Sequence, residues 1–189
     1  MKYYTFVFLI TLVFWGFGHR EPEIGTVLDN LNGINVYYNG PVFSKVQGRN
    51  TSEDGYNFGL KFQCVEFVKR YYYYHLNHKM PNTFGHAKDM FDRTLPDKAF
   101  NRKRGLMQYR NVREYKPAVN DILIYDAYAG NAFGHIAIIS KVGNGYVEIV
   151  HQNMGKESRR TLNLVNFESY WTVADYHILG WLRKEPIPN

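Results

Sequence analysis

The chain holds one cysteine, Cys64, and seven histidines, at 19, 75, 78, 86, 135, 151 and 177. A single thiol closes no internal disulfide. Cys64 is therefore either a small buried core residue or a nucleophile, and its neighbours must decide. A nucleophilic cysteine reacts as the thiolate, which a helix N-terminus and a nearby imidazolium both favour. Cys64 stands where Val65, Val68, Tyr72 and Leu76 begin to recur at helical spacing, with Phe67 and Tyr71 beside them. The positive end of that helix suits a negative sulfur. The backbone N–H groups there, with the Gln63 side chain, suit a developing oxyanion.

A nucleophilic thiol needs a base, and the base needs a group to orient it. His135 opens the most apolar segment, His-Ile-Ala-Ile-Ile-Ser-Lys-Val, directly after Phe133-Gly134. The glycine permits close approach of another chain or a substrate. A purely structural histidine is the bland alternative. The orienting group follows from strand pairing, because residues 135–142 and 146–153 flank Gly143-Asn144-Gly145 as in a hairpin. With Asn144-Gly145 alone as the turn, His135 faces Met154 and shares a face with Gln152. With all three residues in the loop, His135 faces Asn153 and shares a face with His151. A slip of one residue reverses the faces. The three-residue loop is favoured, with Gly145 as its left-handed residue.

The elements that must position these groups divide by period. A helix is expected from Gln63 to about Asn77 and a second, short one at about 85–93. A short strand is expected near 34–38, a loop over 44–60 and an irregular basic stretch over 94–116. Strands follow at 121–125, 135–142, 146–152, 170–175 and 177–183. A helical part followed by a sheet implies an α+β class. No linker divides residues 19–189, so one domain is expected.

Composition bounds the function. The chain has 189 residues, 45% hydrophobic and 21% charged, which is globular rather than disordered. The net charge of +6 favours anionic partners without choosing among them. No Gly-rich phosphate loop or nucleic-acid motif appears, and no nucleic-acid partner is expected. Residues 1–18 carry Lys2, then an apolar run from about Tyr3 to Phe17, with Gly16 and Gly18 before a candidate cleavage site. The run is short for a spanning helix, which needs roughly 18 or more apolar residues. The pattern is that of a signal peptide. An exported protein is expected, periplasmic or secreted, with no stable membrane insertion after cleavage. An uncleaved anchor is the alternative.

Four segments taken together are recognisable. They are Phe62-Gln63-Cys64-Val65-Glu66-Phe67-Val68-Lys69-Arg70, Asp121-Ile122-Leu123-Ile124-Tyr125-Asp126, Gly134-His135-Ile136-Ala137-Ile138-Ile139 and Gln152-Asn153. They resemble the CHAP family of cysteine, histidine-dependent amidohydrolases and peptidases, and within it the glutathionylspermidine-amidase type. The resemblance implies a papain-like fold, with N-terminal helices packed on an antiparallel sheet and a helix-borne cysteine facing a sheet-borne histidine. It implies Cys64 as nucleophile, His135 as base, Gln63 on the oxyanion side and Asn153 as a polar residue near the histidine. There is one departure. The family pattern carries Glu-Gln-Asn, and this chain carries His151-Gln152-Asn153. The orienting role then falls to His151 or Asn153.

Other candidates are weaker. His75-x-x-His78 lacks partners for a metal site, and Asp54 and Glu66 do not make a calcium loop. No metal and no cofactor are expected. Tyr71–Tyr74 divide between core and surface, and Lys98, Arg102, Lys103 and Arg104 read as a solvated loop. The function expected is an exported, monomeric thiol amidohydrolase or peptidase acting on peptidoglycan. The alternatives are a small-amide amidase of the glutathionylspermidine type and a non-catalytic wall-binding domain.

Overall fold

The computed structural model of the chain describes residues 20–41 and 45–185. The leader expected at residues 1–18 lies outside the described residues. The strands are β1 (Val27–Leu31), β2 (Ile34–Tyr37), β3 (Arg49–Thr51), β4 (Asn57–Leu60), β5 (Ala99–Asn101), β6 (Leu106–Arg110), β7 (Ile122–Tyr125), β8 (His135–Val142), β9 (Tyr146–Val150), β10 (Arg159–Phe167), β11 (Tyr170–Val173) and β12 (Ile178–Arg183). A single α-helix, α1 (Cys64–Tyr74), falls between β4 and β5 among the described residues. The class is α+β, with far more strand than helix. No helix of the described residues is long and apolar enough to cross a membrane.

Eight strands form one antiparallel sheet in the order β11-β10-β9-β8-β7-β12-β6-β5, and β1-β2 and β3-β4 are separate hairpins. The sheet curls until β11 reaches the chain beyond β6. There Trp171 N–H donates to Arg113 O at 2.7 Å and Arg113 N–H donates to Trp171 O at 3.3 Å. Both faces are consequently covered. On one, Phe67, Val68, Tyr71 and Tyr72 of α1 pack on Ile122, Ile124, Ile136 and Ile138. On the other, Leu123, Ala137, Ile139 and Ile149 pack with Trp181, Leu164 and Val173. This explains why β7 and β8 read as continuous apolar runs rather than alternating ones.

The helix expected to reach Asn77 ends at Tyr74. The chain leaves through Asn77 at φ 48, and His78 N–H returns to Tyr72 O at 2.9 Å. Left-handed exit by asparagine is a common way to stop a helix. Of the four tyrosines, Tyr71 and Tyr72 are buried and Tyr74 is exposed.

The second helix, expected at 85–93, is only a 3₁₀ turn, Lys88–Met90, so the papain-like expectation of several N-terminal helices reduces to one. The Lys88 N–H goes to Phe133 O at 3.1 Å instead of to a preceding turn, and His86 N–H is taken by the Asp89 carboxylate at 2.9 Å. The loop expected over 44–60 contains β3 and β4, and the basic stretch over 94–116 contains β5 and β6. Arg104 is not solvated. Its buried guanidinium donates to the carbonyls of Asn82, Phe84 and Asp89 at 2.6–3.1 Å, and so fixes the 82–89 segment.

The β8–β9 hairpin differs from the favoured loop in an instructive way. Gly143 N–H donates to Tyr146 O at 2.8 Å, so Asn144-Gly145 alone make the turn, with Gly145 at φ 79. Near the turn Val142 pairs with Val147 and Lys141 with Glu148. A bulge at Ser140 then shifts the register, and Ile139 pairs with Ile149 and Ile138 with Val150. One extra residue on one strand has the same effect on later pairs as one extra residue in the loop. The three-residue loop is thus incorrect, while the register it implied holds for Ile139 and Ile138.

Candidate active site

Gln63 precedes α1 with no side-chain cap bond to the helix, and Phe62 before it sits at φ 64. This left-handed residue turns the chain so that Cys64 enters the first helical turn facing β8. Cys64 and His135 line one cleft of about 450 Å³ together with Gln63 and Asn153. Both are buried, at 8% and 6% exposure. The cleft walls add Phe84, His86, Phe133 and Met154, so the approach to the thiol is largely apolar.

Burial pushes the Cys64 thiol up to about 11. The backbone N–H groups of Ile136, Val65 and Cys64 itself act in the opposite direction. Ile136 directly follows His135, which places the sulfur beside the His135–Ile136 peptide. Burial also holds His135 well below the ordinary histidine range, with His151 and Arg160 adding to the effect. Burial thus favours the neutral thiol and the neutral imidazole. The thiolate expected from the helix N-terminus is outweighed by desolvation. Proton transfer from sulfur to imidazole creates both charges together, each beside the other.

His135 Nε2 lies 3.2 Å from His151 Nδ1, and the rings meet edge to face with centroids 5.2 Å apart. That contact leaves Nδ1 as the His135 nitrogen for the thiol. For Nδ1 to accept a proton, Nε2 must carry the other one and donate it to His151 Nδ1. His151 then carries its own proton on Nε2. Beyond that nitrogen, Glu157 Oε1 lies at 3.2 Å. Glu148 is engaged elsewhere, accepting from Ser140 Oγ at 2.8 Å and Arg159 Nη1 at 2.9 Å.

Asn153 stands at φ 70. Its Nδ2 donates to Gln63 Oε1 at 2.7 Å, and its Oδ1 accepts from Asn39 Nδ2 at 2.9 Å. The amide thus orients Gln63. Gln63 Nε2 donates one proton to Lys45 O at 2.8 Å, which leaves its second N–H for the cleft. Gln152, between the two candidate residues, is a positioning group that spacing alone did not single out. Its Nε2 donates to Gln63 O at 3.0 Å and Glu66 Oε2 at 2.9 Å. Its Oε1 accepts from Tyr37 N at 2.7 Å and Arg70 Nη2 at 3.3 Å. This fully buried amide ties the start of the cysteine helix to the strand end that carries His151. Only its place inside the Gln-Asn pair hinted at it.

His135 is aimed from behind by Gly134, at φ 72. A Cβ there would lie 2.5 Å from Tyr125 O and 3.0 Å from Lys88 N. The close approach that glycine was expected to permit is thus of the protein's own backbone. Gly134→Ala is expected to destabilise the fold by about 2–4 kcal/mol, from left-handed strain plus the clash. It should also lower kcat more than tenfold by displacing His135. Denaturant midpoints and steady-state rates check both effects, and an unshifted midpoint would contradict the packing described.

A sequence model of the CHAP domain matches residues 53–153, spanning Cys64, His135 and Asn153. The chain is 31% identical over 150 residues to the bifunctional glutathionylspermidine synthetase/amidase of Escherichia coli (strain K12), covering 71% of this chain and 23% of that protein. It is 27% identical over 133 residues to the trypanothione synthetase of Crithidia fasciculata, covering 68% of this chain and 20% of that protein. The chain thus spans about a fifth of the length of these curated relatives. Among solved structures, that of Ly7917 aligns with a TM-score of 0.40 at 18% identity, over 65% of this chain and 53% of the other.

Proposed function

The chain belongs to the CHAP domain family, a family of amidohydrolases and peptidases, and from that premise we propose that it hydrolyses amide bonds of peptidoglycan through Cys64 and His135. The observation that carries the reading is the shared cleft that holds the helix-borne thiol of Cys64 and the imidazole of His135, whose Nε2 meets His151 Nδ1. A helix-borne sulfur set against a sheet-borne imidazole is papain-like in kind. A relic kept only for binding would have no need of an oriented base.

Cys64 Sγ attacks the amide carbonyl while its proton passes to His135 Nδ1, and a C–S bond forms. The oxyanion is received by the helix-start N–H groups and the second N–H of Gln63. His135 gives its proton to the leaving amine as the C–N bond breaks. It then takes a proton from the water that opens the thioester, and the released thiol recovers its proton. Every step is redox-neutral, and this chain's own residues move each proton.

The leader pattern in residues 1–18 and the +6 charge support an exported enzyme on an anionic wall polymer. The similarity to glutathionylspermidine synthetase/amidase supports a second reading, hydrolysis of a small peptide–polyamine amide. Mass spectrometry separates them. Purified peptidoglycan incubated with the chain is expected to release new fragments, and their masses name the bond. No fragments, with hydrolysis of glutathionylspermidine instead, would replace the wall substrate by the small amide.

A further inference from the structure

We infer that Glu157 supplies the negative charge that orients and polarises the base, acting through His151 as the far end of a line Cys64–His135–His151–Glu157. The inference rests on the proposed roles of Cys64 and His135. The family's carboxylate position is occupied here by His151, so His135 meets an imidazole in place of an anion. The anion stands one side chain further out. His151 is 1% exposed. Its Nε2 makes no well-directed hydrogen bond, yet it lies 3.2 Å from Glu157 Oε1.

The loop between β9 and β10 brings this about. Arg159 pairs with Val150, His151 N–H donates to Ser158 O at 3.0 Å, and Glu157 N–H donates to Met154 O at 3.2 Å. The chain therefore folds back so that Glu157 reaches the outer edge of the His151 ring. The Glu157 carboxylate is 41% exposed, and the oxygen nearest His151 also accepts from Arg160 Nε at 2.6 Å. Burial depresses His151, and Glu157 is the group that raises it.

Four other titratable or charged groups belong to this environment. Cys64 on α1 lines the same cleft as His135, and the Tyr125 ring on β7 lies 5.9 Å from the His135 ring. His135 itself faces His151 from β8. Arg160 on β10 pairs with Glu157 at 2.6 Å and disfavours protonation of both imidazoles. Glu157 thus stands between a cation and an imidazole, and the two variants at 157 and 160 have opposite signs.

Removing the carboxylate leaves His135 and His151 holding a proton less tightly. In Glu157→Gln the acidic limb of kcat/KM is expected to move to lower pH by about one unit, and the plateau to fall about tenfold as the base weakens. In Arg160→Gln the limb is expected to move up. His151→Glu places a carboxylate directly on His135 Nε2, so adding Glu157→Gln to it should change nothing further. A tenfold loss from Glu157→Gln in both backgrounds, with the limb unmoved, would overturn the inference and leave Glu157 a structural partner of Arg160. The ¹⁵N titration of the histidine rings in the full chain provides a readout that needs no substrate. Both imidazoles should titrate lower in Glu157→Gln, and unmoved titrations would overturn the inference whether or not the hydrolase reading stands.

Discussion

Cys64→Ala is expected to reduce amide hydrolysis by about 10⁴-fold or more, as loss of the nucleophile does where a nucleophile and base act as a unit. The fold should survive, because removing one buried sulfur costs about 1 kcal/mol on the scale of a buried methylene. Circular dichroism and the thermal midpoint should therefore stay close to those of the parent. Cys64→Ser should be nearly as inactive, since a buried hydroxyl is far harder to deprotonate than a thiol and the imidazole here is itself a weak base. Product formation by either variant above a tenth of the parent rate would place the nucleophile elsewhere.

His135→Ala is expected to cost roughly 10³–10⁴-fold at neutral pH, with a change in the shape of the pH profile. Burial holds the thiol at about 11. Without a base, the ionised fraction at pH 7 is therefore about 10^(7−11), or one part in 10⁴. The variant should lose the acidic limb set by the imidazole and gain rate steadily toward alkaline pH as the thiol ionises by itself. The parent should retain activity below pH 6.5, because burial keeps His135 neutral there. Rate–pH profiles of the two proteins distinguish this from simple misfolding, which would lower the rate without changing its slope. A variant that kept the parent's acidic limb would mean that another group is the base.

Much of this site is legible in the sequence because each part leaves a local mark. Helical spacing after Cys64 marks the helix start, and the glycine before an apolar run marks His135. The Ser140 bulge leaves no such mark, since bulges need no special residue type. The three-residue loop thus places His151 on the correct face by a loop length the chain does not use. The helix expected at 85–93 failed for a non-local reason. Lys88 N–H is taken by Phe133 O, more than forty residues on, and Arg104 holds the surrounding carbonyls. Glu157 was silent for a related reason. Its relation to His151 exists only once β10 pairs with β9, and a carboxylate in a turn is otherwise unremarked. Burial of the sulfur opposes the thiolate that the partial charge of the helix end favours.

An acyl-enzyme on Cys64 is tested most directly by hydroxylamine partitioning. Hydroxylamine added during turnover competes with water for a thioester. It should convert part of the acid product into hydroxamate, in proportion to its concentration, and neither product should form with Cys64→Ala. Acid alone at every hydroxylamine concentration, or hydroxamate formed equally by Cys64→Ala, would mean that the amide is opened without a thioester on Cys64.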